Sequence, residues 1–253
     1  MHSDRKPKED AFEQDKTEVY ISNHYIFHYC AGSVAEKDIK LIAETQEKCF
    51  RKICSTLKID YTEKINYYLT DSPLEIGRVI WDEEAPCNGC ALCGRNKVYA
   101  TYNDNIKCIG SHEDTHLISF LINFPESDFV VEGLAMCMDG LWWGVSNEMW
   151  AAYYKTKFVN LSVKDFFDND IFADHGCAVT YPIAGAFTQY LIDTFGMERY
   201  IELYKYTGEE YETIMQSIFH TSFEDIVEKF WSEMSRIPFD ASALEEMLRS
   251  EGF

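Results

Sequence analysis

The sequence lacks any long apolar run. No stretch of its 253 residues approaches the roughly 18 consecutive apolar residues that a membrane-spanning helix needs. Residues 1–19 are polar and charged, without the apolar segment of a signal peptide. We therefore predict no membrane span and expect residues 1–16 to be a disordered polar tail. The compartment of this soluble chain stays open: cytoplasmic if Met1 is the native start, extracytoplasmic if a signal has been removed.

Basic residues are also scarce. The chain has 23 Lys and Arg against 43 Asp and Glu, which gives a formal net charge of −20 at pH 7. A surface of this sign repels nucleic-acid phosphates and anionic membranes, so we expect neither as a partner. Internal repeats and low-complexity tracts are absent as well. With 46% hydrophobic residues, the chain can bury a core in one large domain or two small ones.

One motif that is present has a defined chemistry, His112-Glu113-Asp114-Thr115-His116. On a helix, residues i and i+4 differ by about 40° and about 6 Å of rise, so both imidazole rings can reach one ion. Glu113 lies about 100° round from His112, where it can meet a water bound to that ion. Neutral imidazoles suit zinc, and zinc-bound water loses a proton near neutral pH. The competing interpretation is a polar helix turn whose histidines are capped or solvated.

Glu132 is the candidate third ligand. Ser127 or Asp128 predicts the start of a helix, and most of the residues around Glu132 on that helix are apolar. A lone carboxylate among them is costly to bury without a partner, and a metal ion is such a partner. The alternative is an ordinary half-exposed glutamate. We predict one catalytic Zn²⁺ held by His112, His116 and Glu132.

These segments resemble a known family. The motif, followed by Phe129–Ala135 with the sequence FVVEGLA, resembles the gluzincin zinc metallopeptidases. More narrowly it resembles the peptidase MA-like domains, in which the third ligand lies in an E-G-L-A or E-G-F-A helix. The stretch Tyr181–Gly196, with a tyrosine, then Ala-Gly and Phe, and a final Phe-Gly, resembles them as well. The resemblance covers about residues 25–236.

The resemblance implies a fold and an activity. The fold is α+β and zincin-like: a small N-terminal mixed sheet with helices, then a helical C-terminal half, with the active site in the cleft between them. We expect a single catalytic domain at 17–253, with an α+β half at 17–107 and the zinc helix and helical half at 108–253. The implied activity is hydrolysis of peptide or protein substrates, with Glu113 as general base.

The resemblance also assigns supporting roles. Tyr181, at the start of its helix, would donate a hydrogen bond to the developing oxyanion, which a phenol can do without carrying charge. A tyrosine packed in an aromatic core is the alternative interpretation, and His175 is the alternative donor. The strand before the zinc helix, with Val98, Tyr99 and Ala100, would pair with the substrate backbone at a sheet edge. A covered strand without a ligand is the alternative.

The sequence departs from the family pattern in two places. Only fifteen residues separate His116 from Glu132, fewer than in several peptidase branches. Met136 stands where thermolysin-like relatives have an aspartate that orients a ligand histidine, so we expect Asp128 or Asp139 in that role. A second function therefore stays open, a zinc-containing module that binds peptide or protein without cleaving it. The intact motif glutamate favours the peptidase, because a binding module needs no base.

The nine cysteines are many for a chain of this size, and their state stays open. Cys87, Cys90 and Cys93 form a C-x-x-C-x-x-C segment, and Cys108 follows fifteen residues later. Four thiolates could hold a second, structural metal ion such as zinc, or an iron–sulfur cluster. Disulfides and free thiols are the other possibilities. If the segment were the main functional site, it would point to a redox or metal sensor.

The hydrophobic pattern predicts strands early and helices late. The predicted elements are a hairpin at 17–32, a helix at 34–58, a strand at 64–69, a short helix to about 80, a loop at 82–96, a strand at 97–102, helices at 109–123 and 128–142, and six further helices.

Overall fold

The five strands of the main sheet lie in the first part of the chain and the later part is mainly helical, which agrees with the predicted α+β class. The computed structural model describes residues 5–81, 84–158, 161–208 and 210–252. It contains an N-terminal five-stranded sheet and a helical C-terminal half. The chain divides into two compact units, Met1–Leu121 and Ile122–Phe253.

The N-terminal unit is built on a mixed sheet with the strand order β1-β2-β3-β5-β4. The hairpin β1–β2 is antiparallel, as predicted for 17–32, and β2, β3 and β5 run parallel. The last strand, β4, pairs antiparallel with β5. The elements are α1 (Arg5–Gln14), β1 (Glu18–Ile21), β2 (Tyr25–Tyr29), α2 (Val34–Leu57), β3 (Ile65–Thr70), α3 (Pro73–Ile80), β4 (Gly89–Leu92), β5 (Lys97–Thr101) and α4 (His112–Ser119).

The long helix α2 confirms the helix predicted at 34–58. It begins where Ser33 accepts a hydrogen bond from the backbone N–H of Glu36 at 3.2 Å, which satisfies a donor of the first turn. It ends at Lys58, whose left-handed backbone stops the helix. The apolar residues that recur at helical spacing are buried on one face: Ile39, Ile42, Ala43, Phe50, Ile53 and Leu57.

The N-terminal helix α1 differs from the disordered tail expected for residues 1–16, of which 1–4 lie outside the described residues. Phe12 is buried, and its ring centroid lies 4.8 Å from that of Tyr99. Glu9 pairs with Arg95 at 2.7 Å. The composition of the segment is polar, but Phe12 packs on a strand of the sheet and Glu9 pairs with the turn between β4 and β5, and these contacts order the helix.

Two further differences concern the segments around the motif. The loop expected at 82–96 contains strand β4, while residues 82–83 lie outside the described part of the chain. Helix α4 belongs to the N-terminal unit and packs against α2 and β4, whereas the sequence grouped it with the helical half at 108–253. The sequence does not show this because the contacts that bind α4 to the sheet are remote along the chain.

In its described residues the C-terminal unit is mainly helical and has one short hairpin. Helices α5 and α8 share the most extensive contact between elements of this unit. A Cβ atom at Gly133 would lie 2.5 Å from Thr188 Oγ1, so only glycine lets the two backbones approach this closely. No helix in the described residues is both long and apolar enough to cross a membrane. The elements are α5 (Asp128–Asp139), β6 (Leu141–Trp142), β7 (Val145–Ser146), α6 (Asn147–Lys157), a 3-10 turn (Asp165–Phe167), α7 (Asn169–Asp174), α8 (Cys177–Phe195), α9 (Met197–Tyr204), α10 (Tyr211–Phe219), α11 (Phe223–Met234) and α12 (Ala241–Ser250).

Candidate metal centre

The two motif histidines point the same ring nitrogen at each other. His112 is the first residue of α4 and His116 lies one turn later, so both side chains leave the same side of the helix. Their Nε2 atoms are 3.2 Å apart, and the ring planes are inclined at 85°. The four-residue spacing therefore brings the two ring nitrogens close enough to share one ligand position, as predicted.

Glu132, on α5, completes a group of three. One possible ligand atom from each of His112, His116 and Glu132 lies within 4.8 Å of the others, and all three residues are partly exposed. Within the described residues this is the single group of three or more His, Cys, Asp or Glu side chains that converge in this way. Partial exposure leaves room for water or a substrate to reach the group.

The donor set fits a zinc ion. Zinc–nitrogen bonds of about 2.05 Å at a tetrahedral angle place two ligand nitrogens about 3.3 Å apart, close to the 3.2 Å between the two Nε2 atoms. Two imidazoles and one carboxylate are also the ligand types of a catalytic zinc site with an open fourth position. Glu132 Oε2 is buried, where a cation would balance its charge.

Glu113 lies against the first residue of β4. A Cβ atom at Gly89 would lie 2.5 Å from Glu113 Oε1 and 2.7 Å from Cys108 Sγ, so no side chain fits at this position. Because residue 89 has no side chain, the carboxylate of Glu113 can approach the backbone at the start of β4. The sequence did not single out Gly89, although a glycine inside a strand often marks a close approach.

A buried polar network fixes the start of α4. The Gln46 side chain donates to the Gly110 carbonyl at 3.0 Å and to Asp114 Oδ2 at 2.9 Å, and it accepts from the Gly110 N–H at 2.8 Å. The Tyr25 hydroxyl also donates to Asp114 Oδ2. Gln46 thus ties the backbone before the helix to a side chain within it, and this limits movement of the helix that carries both histidines.

Burial dominates the chemistry of Asp114, which is fully inaccessible. Burial raises the pKa of Asp114 to about 8, although hydrogen bonds from Tyr25 and Gln46 act in the opposite direction, and the charge of Glu113 adds to the rise. The sequence pattern did not predict this network. For Asp114, the sequence signal was its position inside the motif, next to the candidate base.

The predicted substrate strand is not at the edge of the sheet. Val98, Tyr99 and Ala100 lie in β5, which pairs with β3 on one side and with β4 on the other, and all three are fully buried. Their backbone groups are already paired, so they cannot bind a peptide by strand addition. Among the described strands, β4 occupies this edge instead. The sequence placed the edge at β5 because the pattern of the cysteine segment, which contains β4, did not predict a strand.

Tyr181 lies in the second turn of α8 and is half-buried. Its ring stacks on Phe172 at a centroid distance of 5.9 Å and lies 5.7 Å from Trp142. These contacts hold the ring in place, which suits both a packed aromatic residue and a positioned donor. Its role as oxyanion donor stays a prediction.

His175 follows α7, and its Nδ1 atom lies 2.9 Å from the carbonyl oxygen of Ile171, to which it can donate. It lines a cavity of about 390 Å³ together with Tyr153, Tyr154 and Phe158. That hydrogen bond commits one of its two ring nitrogens, so only Nε2 is left for a ligand.

The acceptors proposed for the ligand histidines are both exposed residues of α5. Asp128 begins the helix, and its pKa is raised by desolvation and by the negative charge of Glu132. Asp128 is therefore near the third ligand. Asp139 ends the same helix. Whether either residue orients an imidazole ring stays a prediction.

The cysteine segment contacts α4 through strand β4. No three of the ligand atoms of Cys87, Cys90, Cys93 and Cys108 converge within the described residues, and none of the nine cysteines is in a disulfide. Cys93 Sγ lies 3.5 Å from the carbonyl oxygen of His116. Burial, with a smaller contribution from the charge of Glu113, raises the pKa of Cys87 to about 11. These thiols therefore border the candidate centre.

The chain is similar to a solved structure in fold alone. No protein-family model matches the sequence, and no curated protein matches it. The fold is similar to that of a mutant of the M1 zinc metallopeptidase from Deinococcus radiodurans, with a TM-score of 0.49 and 12% sequence identity. The match covers 87% of this chain and 52% of that chain, so this chain spans about half the length of the solved protein. The assignment of the centre rests on its own geometry and not on this likeness.

Proposed function

We propose that this protein is a zinc-dependent metallopeptidase of the gluzincin type with a zincin-like fold. The observation that carries the proposal is the convergence of two imidazole nitrogens and a carboxylate, from His112, His116 and Glu132, beside a further glutamate in the same motif. These three residues hold the metal. A zinc ion bound there supplies a Lewis acid for the scissile carbonyl and lowers the pKa of water.

Glu113 is the general base in this proposal. Its carboxylate accepts a proton from the attacking water and later delivers it to the leaving amine. Its position against Gly89 supports the role, because the absence of a side chain at residue 89 lets Oε1 lie next to the start of β4. A module that only binds peptide would not need this residue.

Strand β4 is the substrate strand of this proposal, in place of Val98, Tyr99 and Ala100. Its first residue, Gly89, is in contact distance of Glu113, and its outer backbone edge pairs with no other described strand. An extended peptide added to this edge gains main-chain hydrogen bonds that do not depend on sequence. The peptide bond to be cleaved would then be held near the base.

Removal of the metal tests the proposal. Dialysis against a chelator should abolish hydrolysis of a mixed peptide library, and one equivalent of zinc per chain should restore it, since three protein ligands hold one ion. Cleavage products are measured by mass spectrometry. Hydrolysis that survives complete removal of zinc would contradict the proposal. A zinc-loaded chain that cleaves nothing would favour the binding module.

Replacement of Tyr181 tests the oxyanion donor. If the hydroxyl donates to the oxyanion, Tyr181→Phe should lower turnover by about 10²–10³-fold with unchanged zinc content, as loss of such a donor typically does. Tyr154→Phe is the matched control, because Tyr154 is also an aromatic-cluster tyrosine and its hydroxyl donates to the carbonyl of Ala178. Turnover close to that of the wild type in Tyr181→Phe would transfer the role to His175, whose alanine variant would then be tested.

A further inference from the structure

The hairpin strand β1 has an unpaired outer edge. Among the described strands β1 pairs with β2 alone. Ser22 donates to the carbonyl of Tyr25 across the hairpin at 3.0 Å. Because hydrogen-bonded pairs alternate along an antiparallel ladder, the backbone groups of Val19 and Ile21 point outward. An exposed edge of this kind is a template for another strand.

The two faces of β1 differ in chemistry. Val19 and Ile21 lie on one face and are 51% and 62% exposed. Tyr20 and Ser22 lie on the other face, toward α2, where Tyr20 is in register with the buried Phe27. A strand added to this edge would therefore meet apolar side chains on one face and the surface of α2 on the other.

On the α2 side, β1 borders a groove of about 380 Å³ that is rich in cations. The groove is lined by Lys40, Lys48 and Arg51, with the carboxylates Glu44 and Glu47. Glu47 already accepts hydrogen bonds from the Ser22 hydroxyl and the His24 backbone N–H, both at 2.8 Å. Three cations and two carboxylates give the groove a net positive charge of one, in a chain whose net charge is −20.

Neither Lys40 nor Lys48 has an ion-pair partner among the described residues, whereas Arg51 lies 3.5 Å from Glu47. The start of β1 is acidic. Burial raises the pKa of Tyr29 most, and Glu36 and Glu18 both lie close enough to raise it further. Positive charge is thus concentrated beside Tyr20 and Ser22 and does not extend to the start of β1.

We propose that the β1 edge binds an extended acidic peptide segment by strand addition. Main-chain hydrogen bonds to Val19 and Ile21 hold the segment. Its alternate residues are apolar, against Val19 and Ile21, and acidic, toward Lys40 and Lys48. This site lies on β1, whereas the residues of the candidate metal centre lie on α4 and α5. The proposal does not depend on peptidase activity.

A second copy of this chain fits the edge less well. Pairing two β1 strands around a twofold axis would bring the cations of both grooves to the same side of the joined sheet. Like charges placed opposite each other destabilise strand pairs. An acidic partner removes this repulsion and accepts ion pairs instead.

Fluorescence anisotropy with a labelled peptide of alternating valine and glutamate tests the proposal on the full chain. Binding should be at least ten-fold tighter than that of the matched valine–lysine peptide. Methylation of the amide nitrogens that face β1 should weaken binding at least ten-fold, because it removes the donors of the ladder. Equal binding of the methylated peptide would overturn strand addition, and equal binding of the lysine peptide would overturn the charge preference.

Reversing the charge of the groove lysines tests whether the peptide binds beside the groove. Lys40→Glu with Lys48→Glu should weaken binding of the glutamate peptide at least ten-fold. The matched control, Lys37→Glu with Lys52→Glu, changes net charge equally on exposed positions of α2 outside the groove and should change binding less than two-fold. Equal losses in both double variants would overturn the site. A concentration-dependent dimer in sedimentation, abolished by Ile21→Lys, would overturn it in favour of self-pairing.

Discussion

Glu113→Gln is expected to lower peptide hydrolysis by at least about 10²-fold while zinc content and thermal midpoint stay unchanged. Glutamine nearly matches glutamate in shape, so it fills the same space beside Gly89. It cannot accept a proton from water at neutral pH, and the attack on the carbonyl loses its base. The measurement is the initial rate on a peptide that the wild type cleaves.

A glutamate far from the motif provides the matched control. Glu246 is exposed on α12, and Glu246→Gln makes the same chemical change without touching the motif. We expect a wild-type rate for this variant. Equal rates in wild type, Glu246→Gln and Glu113→Gln would remove Glu113 from the mechanism and leave zinc binding as the only supported property of the motif.

Glu132→Ala is expected to weaken zinc binding by at least about 100-fold. This loss is larger than is typical when a residue that hydrogen-bonds to a metal ligand is removed. The reason is that three protein ligands become two. His116→Ala should have an effect of the same kind, because its Nε2 lies 3.2 Å from that of His112. Competition with a chromophoric chelator measures the affinity.

Glu126→Ala is the control for charge. Glu126 is exposed just before α5, and its removal changes net charge by the same amount as Glu132→Ala. Its zinc affinity should equal that of the wild type. Tight, stoichiometric zinc in both His116→Ala and Glu132→Ala would place the metal outside the proposed ligand set.

Local patterns predicted much of the fold. Helix α2 follows from the spacing of its apolar residues and from the cap at Ser33, and the β1–β2 hairpin follows from alternation. Strand β4 was missed because Gly89–Leu92 contains no β-branched or aromatic residue. Its pairing with β5 decides which strand lies at the edge of the sheet, so one missed strand misplaced the substrate edge.

The candidate centre was predictable to the extent that it is local. His112 and His116 converge because four residues make about one helical turn. Glu132 was predicted because it is a lone carboxylate among the apolar residues of its helix, and the resemblance of that segment to a family pattern agreed with this. Gln46 could not be found in this way, because its hydrogen bond to Asp114 spans 68 positions of sequence and carries no periodic signal. Ligands can be read from a motif, but the residues that hold the motif in place depend on tertiary contacts.

X-ray absorption at the zinc edge of the wild-type chain, loaded with one equivalent of zinc, tests the central claim most directly. The account predicts a first shell of nitrogen and oxygen at about 2.0–2.2 Å, from two imidazoles, one carboxylate and solvent, with no sulfur. A sulfur shell at about 2.3 Å would contradict it, because the metal would then lie with Cys87, Cys90, Cys93 and Cys108 instead of His112, His116 and Glu132.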